Sequence, residues 1–232
     1  MAIKGIKTKA TENDNNNIFW TTMSDLMLGL AIIFITLFVF AMTGFTQQNI
    51  EQKKQQMEMS EQIAENLKKV DIDVEIDKVT GDIVISDLDL FELGSSKLSS
   101  KGKAYLNKFA PIYIDTIFSK KEYANNIENI IIQGHTDSHM YAGINNPDEQ
   151  YMKNMTLSLE RANSVATYIF TTNYNKEFGT DLKKKMVVEG KSFSEPILVN
   201  GKEDYAKSRR VELHLKAKSF DLAETLFSKG SN

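Results

Sequence analysis

The sequence predicts an α/β fold carried behind one membrane helix and a helical stalk. Three observations predict it. An apolar run from Leu26 to Phe45 matches the roughly 20 residues that cross a hydrocarbon core. A stretch rich in Gln, Glu and Lys follows over 46–69, without Pro or Gly. From Val70 onward, strand patterns alternate with two helix patterns over about 150 residues, the signature of helices packed on a mixed sheet. The expected organisation is a cytoplasmic segment 1–17, a transmembrane helix 18–45, a stalk 46–69, a folded domain 70–217 and a tail 218–232.

Composition narrows the function classes. The 232 residues are 25% charged with a net charge of −3, which suits one ordinary domain with an appendage and gives no basic surplus for nucleic acid. There is no cysteine, so neither a disulfide framework nor a thiolate metal site exists, in keeping with an exported domain that folds without bridges.

The apolar run exceeds the roughly 7 to 15 residues of a signal-peptide core and follows a polar segment, so it reads as an uncleaved single-pass anchor. Lys4, Lys7 and Lys9 precede it, while Lys53 and Lys54 lie well beyond it, which places the amino terminus inside.

Asp25 has two readings. Ser24 and Asp25 could cap a helix that begins at Leu26. Alternatively, Phe19 and Trp20 mark the headgroup level, and Asp25 then sits roughly 7 to 8 Å deeper. A lone charge there costs a few kcal/mol, so such a group is paired, protonated or functional. Thr21, Thr22 and Gly29 share its helix face. The hydroxyls suit a proton network or a partly dehydrated cation, and Gly29 lets another helix approach. One helix makes no ion path alone, so this reading requires a partner.

In the stalk, Ile50 and Met57 are one heptad apart, and Ile63, Leu67 and Val70 extend an irregular seam. It suits a two-helix coil or a solvated linker helix. "VDIDVEID" and "IVISD" read as a hairpin. A helix pattern covers "SSKGKAYLNKFAPIYIDTIF", a strand "NIENIIIQGHTD", a second helix "LSLERANSVATYIF", and strands "KKMVVEG" and "RRVELHLKA". In the tail, Phe220, Ala223 and Phe227 at helical spacing are expected to cap the domain.

"HTDSH" gathers His135, Asp137, Ser138 and His139. A zinc site needs a third protein ligand, and the remaining histidine, His214, lies in a strand pattern. Ser-His-Asp catalysis is recognised by geometry, which spacing cannot supply. The expectation is no enzyme, no metal and no cofactor, with His135 stabilising a turn.

"IIIQGHTDS", "LSLERANSVATYI", "VVEGKSFSEPI" and "SRRVELHL", in that order, resemble the OmpA-like peptidoglycan-binding domain over roughly Val70 to Lys216. The resemblance implies an OmpA-like α/β sandwich in which Asp137 and Arg161 hold the diaminopimelate of the wall peptide. The chemistry is reasonable in itself, because a zwitterionic ligand suits an acidic acceptor beside a bidentate Arg donor. Thr136, Leu157, Ser158 and Arg210 match neighbouring family positions. Two departures stand out: a long loop from Ser138 to Thr156, expected to cover the site or touch a partner, and Ser208 where the family has a bracing Asn.

"FWTTMSDLM", followed by a stalk and an OmpA-like domain, resembles the B subunit of ion-driven rotary stators, the MotB family. The short stalk without a proline-containing plug is most similar to the Zorya defence-motor branch, ZorB. Biopolymer-transport relatives share a membrane aspartate but lack the wall-binding motifs. The resemblance implies a homodimer inside a five-subunit ring of a multi-pass MotA/ZorA-type partner, in the bacterial inner membrane, with a periplasmic domain on peptidoglycan. Asp25 would carry the ion with Thr21 and Thr22, H+ in the first place and Na+ as the alternative. A flagellar stator, a passive membrane-to-wall tether and a wall-processing enzyme are the competing readings.

Overall fold

A computed structural model describes residues 7–77, 80–92 and 94–218. The expected tail beyond Lys218 and the first lysine, Lys4, lie outside them. Helix α1 is Lys7–Lys68, followed by strands β1 (Glu75–Ile76) and β2 (Ile83–Ser86) and helices α2 (Asp87–Leu90), α3 (Ser100–Phe118) and α4 (Lys121–Asn126). Next come β3 (Ile127–His135), α5 (Pro147–Ile169), a 3-10 turn Lys176–Phe178, α6 (Gly179–Lys185) and β4 (Met186–Gly190). A small hairpin of β5 (Leu198–Val199) and β6 (Lys202–Glu203), then α7 (Tyr205–Ser208) and β7 (Arg210–Ala217), complete the order. The chain divides into two compact units, one ending at Glu51 and one starting at Gln52.

In the first unit, Ile18–Gly44 is long and apolar enough to cross a membrane. Its large side chains, among them Leu26, Phe34, Phe38 and Phe40, are exposed, as a lipid-facing helix requires. Thr22, Thr36 and Thr43 turn their hydroxyls back onto carbonyls three and four residues earlier, which satisfies each donor within the helix. The helix runs through Ser24 and Asp25 without a break, so the capping explanation of these residues fails: no helix begins at Leu26.

The second unit is built on a five-stranded mixed sheet ordered β1-β2-β7-β3-β4. Only β3 and β4 run parallel, which demands a crossover, and α5 lies within it. β7 is antiparallel to both β2 and β3. Ile130 and Ile132 of β3 and Val211, Leu213 and Leu215 of β7 share one core with Leu106, Phe109, Ile114 and Ile117 of α3 and Ala162, Val165 and Ile169 of α5. The helical residues recur at three- and four-residue spacing, which is why one stripe of each helix is buried.

The stalk expectation needs revision in its second half. Met59, Ile63 and Leu67 form a stripe at four-residue spacing that is buried in this same core. Ser60 donates to the carbonyl of Gly81 at 2.5 Å, and Asn66 donates to Thr116 at 3.1 Å. The folded unit therefore incorporates the end of α1 instead of starting at Val70. Burial inside the chain's own domain has taken the seam that a coiled coil would have used. The alternating run at 70–77 contributes only two paired residues, Glu75 and Ile76.

The expected long loop is also shorter, because α5 begins at Pro147. Asn146 accepts the Asp148 N–H at 2.9 Å, proline occupies the first turn, and Asp148 and Glu149 face the positive helix end. Only 136–146 remains as loop. Gln150 staples it by accepting from Tyr141 N–H at 2.8 Å and donating to the carbonyls of Tyr141 and Ile144.

Gly134 lets α5 sit close to the sheet. A Cβ there would lie 2.0 Å from the Ser158 carbonyl oxygen, which belongs to helix backbone and cannot move aside. Gly134→Ala is expected to destabilise the domain by about 1–3 kcal/mol through overpacking. The denaturation midpoint measures it, and an unchanged midpoint would mean that α5 stands off the sheet.

Candidate binding site and membrane carboxylate

Three neighbouring strand ends meet at one edge of the sheet. The register pairs Ser86 of β2 with Arg210 of β7, and Arg210 with His135 of β3. The residue after β2 is Asp87, the residue before β7 is Arg209, and Thr136 and Asp137 follow β3. Antiparallel pairing thus brings together charges that are more than a hundred positions apart between Asp87 and Arg209. The Asp87 N–H donates to the Arg209 carbonyl at 3.1 Å, fixing this junction.

Above it, the buried turn of α5 supplies Arg161. Its Nη2 lies 3.1 Å from Asp87 Oδ1, its Nε donates to the Ser95 carbonyl at 3.1 Å, and its guanidinium covers the Phe91 ring. Asp87 also faces Arg209 Nε at 3.8 Å. Arg209 Nη1 in turn donates to Asp137 Oδ2. The result is a chain of alternating charge: Arg161, Asp87, Arg209, Asp137.

Burial pushes the Asp87 carboxyl above the ordinary range, against the pull of Arg161 and Arg209. Burial likewise lowers the Arg161 guanidinium from its usual value, although Asp87 opposes the change.

The expected residues take distinct places. Asp137 and Arg161 belong to this one cluster. Thr136 is buried, with its N–H on the Ser192 carbonyl at 2.9 Å, and its hydroxyl has no partner among the described residues. Ser158, also buried, donates to the Met155 carbonyl at 2.8 Å and accepts from Ser192 N–H at 3.0 Å, so it joins α5 to the loop after β4. Leu157 is half-buried beside it.

Arg210 points elsewhere. It binds Glu212 and the carbonyls of Glu195 and Ser208, bracing the segment before β7. Ser208 accepts the Ile197 N–H at 3.1 Å, so the serine does brace the backbone there.

Sequence reasoning missed Asp87 and Arg209. Arg210 is the first residue of β7 and Arg209, just before it, is extended, so the two side chains diverge and one of them meets Asp137. Spacing alone did not say which. Asp87 had no local signal, because only strand pairing brings it to the others.

The three histidines do not converge. His135 Nε2 lies 3.4 Å from Glu212, and His139 Nδ1 lies 3.2 Å from Asp137 with its ring against Tyr205. His214 Nδ1 meets Asp82 at 2.5 Å. Among the described residues no group of three His, Cys, Asp or Glu side chains is arranged to hold a metal ion. Burial pushes the Glu212 carboxyl up, but His135 and Arg210 outweigh it and hold Glu212 at about 2.

The hydrogen bond that His214 donates to Asp82 raises the His214 pKa and outweighs its burial. The protonated pair is therefore a folded-state contact. Its stabilisation is fully present below the unfolded histidine value of about 6.5 and is lost as pH rises through the raised folded value. The melting-temperature gap between the wild type and His214→Gln is expected to be widest in mild acid and to narrow with rising pH. A pH-independent gap would refute the charged pair.

In the first unit, Asp25 is exposed on α1. Thr22 donates to the carbonyls of Ile18 and Phe19 at 3.0 and 2.9 Å, leaving its oxygen free to accept. The Phe19 and Trp20 rings meet edge to face, and a Cβ on Gly29 would touch nothing within 4 Å.

No family model matches the chain. Zorya protein ZorB of Escherichia coli strain Crooks is 32% identical over 221 residues, covering 90% of this chain and 92% of the relative. Zorya protein ZorB of Escherichia coli O139:H28 is 25% identical over 224 residues, covering 91% and 85%. A crystal structure of a MotB-like protein from Desulfovibrio vulgaris superposes with a TM-score of 0.51 at 18% identity, over 74% of this chain and 97% of that one. The folded unit thus shares the fold of that MotB-like protein, helices on a mixed sheet, which is the α/β arrangement the sequence led us to expect. With this identity running through both the apolar helix and the folded domain, the chain belongs to the Zorya protein ZorB family.

Proposed function

We propose that this chain is the wall-anchored B subunit of an ion-driven rotary motor of anti-phage defence in the bacterial inner membrane. Its amino terminus is cytoplasmic and its folded domain periplasmic. The observation that carries this reading is the joining, in one member of the Zorya family, of two features. An apolar span holds Asp25 as its one charged residue, and a domain clusters Asp137 with Arg161.

Asp137 accepts the ammonium of the wall peptide's diaminopimelate, and Arg161 orients its carboxylate. That grip holds the subunit still. Asp25 picks up and releases the ion, with Thr21 and Thr22 offering hydroxyl oxygens beside it. A charge crossing the full membrane potential releases about 2.3 kcal/mol per 100 mV, which supplies the work. The ion is H+, and Na+ is the alternative. Because one helix cannot enclose a path, two copies stand inside a five-subunit ring of a multi-pass MotA/ZorA-type partner.

The composition of the complex tests this. Co-expressed with the membrane proteins encoded beside it and purified in detergent, the chain is expected as a dimer within a ring of multi-pass subunits. Purification of the chain alone would favour a passive tether between bilayer and wall.

A further inference from the structure

At the end of the sheet away from the charged cluster, the chain leaves the folded unit beside an apolar cleft. β7 ends at Ala217, and the Lys218 N–H donates to the Asn126 carbonyl at 2.8 Å, so the chain departs next to the end of α4. The cleft, about 290 Å³ counting the space at its open side, lies between α1, α4 and the ends of β3 and β7. Met59, Tyr123, Ile127, Leu215 and Ala217 line it, and Met59, Ile127 and Leu215 are core residues no more than 3% exposed. Also on its wall, Gln55 of α1 accepts from Asn126 of α4 at 3.2 Å, and the buried Nε2 of Gln56 has no partner among the described residues.

These walls define the occupant. Removal of apolar surface from water drives an apolar side chain into such a cleft, and a buried amide nitrogen without an acceptor gains from an oxygen. Ser219, Phe220, Asp221 and Leu222, the residues that follow Lys218, offer both. Ala217 is part of the wall, and Phe220 lies three positions on, a reach of about 10 Å of extended chain. A segment tethered this closely has an effective concentration in roughly the millimolar range, which favours it over a free partner or a second copy.

We propose that the chain beyond Lys218 docks back on this cleft, with the Phe220 side chain inside it and an oxygen of the same segment on Gln56. The segment straps residues 55–59 of α1 to α4, β3 and β7, and so secures the helix to the folded unit. This contact depends on neither the wall ligand nor the ion.

The chain has no cysteine, so an introduced pair reports cleanly. In the full-length chain in detergent, Gln55→Cys with Phe220→Cys is expected to be bridged within one chain by a short bis-maleimide, identified by the mass of the linked peptides and a monomer-sized band. Bridging between two chains would overturn the inference in favour of a second copy's segment, and the absence of both products would overturn it outright.

Hydrogen exchange on the same full-length chain gives an independent readout. In Phe220→Ala the amides of 55–59 and 123–127 are expected to exchange about tenfold faster than in the wild type, the scale of losing one buried aromatic side chain. Phe220→Leu should keep most of the protection. Unaltered exchange in β3 and β7 shows that the variants are folded. Wild-type exchange at 55–59 in Phe220→Ala would overturn the inference, as would a uniform acceleration through the whole domain.

Discussion

Asp25→Asn is expected to abolish phage protection in cells carrying the complete defence system, while membrane insertion and wall binding persist. The amide is nearly the same size as the carboxylate and hydrogen-bonds well, but it does not ionise near neutral pH. It can therefore neither load an ion from one side nor release it to the other. Insertion should not suffer, since a neutral group costs less in the apolar span than a charge does. The folded domain begins beyond this span, so sacculus binding should be retained. Plating efficiency, membrane fractionation and co-sedimentation with purified wall measure the three properties. Asp25→Glu, which keeps a titratable carboxyl on a longer stem, should retain part of the protection. Full protection by Asp25→Asn would remove the carboxylate from the mechanism and leave the passive tether as the better account.

The second large effect is expected at Arg161. Arg161→Ala removes the fork that we propose orients the ligand's carboxylate, and it strips Asp87 of its closer cation in a place where the two side chains are 3% and 6% exposed. Removing one partner of a buried pair costs about 3–5 kcal/mol, so this variant should lose both wall binding and much of its stability. Arg161→Lys separates the two effects. The lysine can still neutralise Asp87, but it lacks the planar fork and the Nε–H that reaches Ser95. It should stay folded while co-sedimentation with purified wall falls towards background. Wild-type co-sedimentation by a folded Arg161→Lys would show that the site does not depend on the guanidinium.

Much of this protein is visible in its sequence because the signals are local. The apolar run before Phe45, the stripe in α3 and the three consecutive isoleucines of β3 each follow from residues a few positions apart, which is the range over which helix and strand periods act. The start of α5 is equally legible in Asn146, Pro147, Asp148 and Glu149, a cap, a first-turn proline and two acids ahead of the motif that begins at Leu157. Asp137 and Arg161 could be named because the motifs around them are contiguous.

Other features were decided by the tertiary structure alone. Ile63 and Leu67 carry an apolar seam that suits a coiled coil or a domain core equally well, and only the presence of α3 and the sheet makes it core. Arg209 and Arg210 are adjacent and chemically identical, and the extended backbone leading into β7 sends one towards Asp137 and the other towards Glu212. Asp87 becomes part of the cluster because β2, β7 and β3 end at the same edge in register. Register is set by long-range pairing and by which face of each strand is buried, so the charges that share this site are neighbours in space through the sheet and not through the chain.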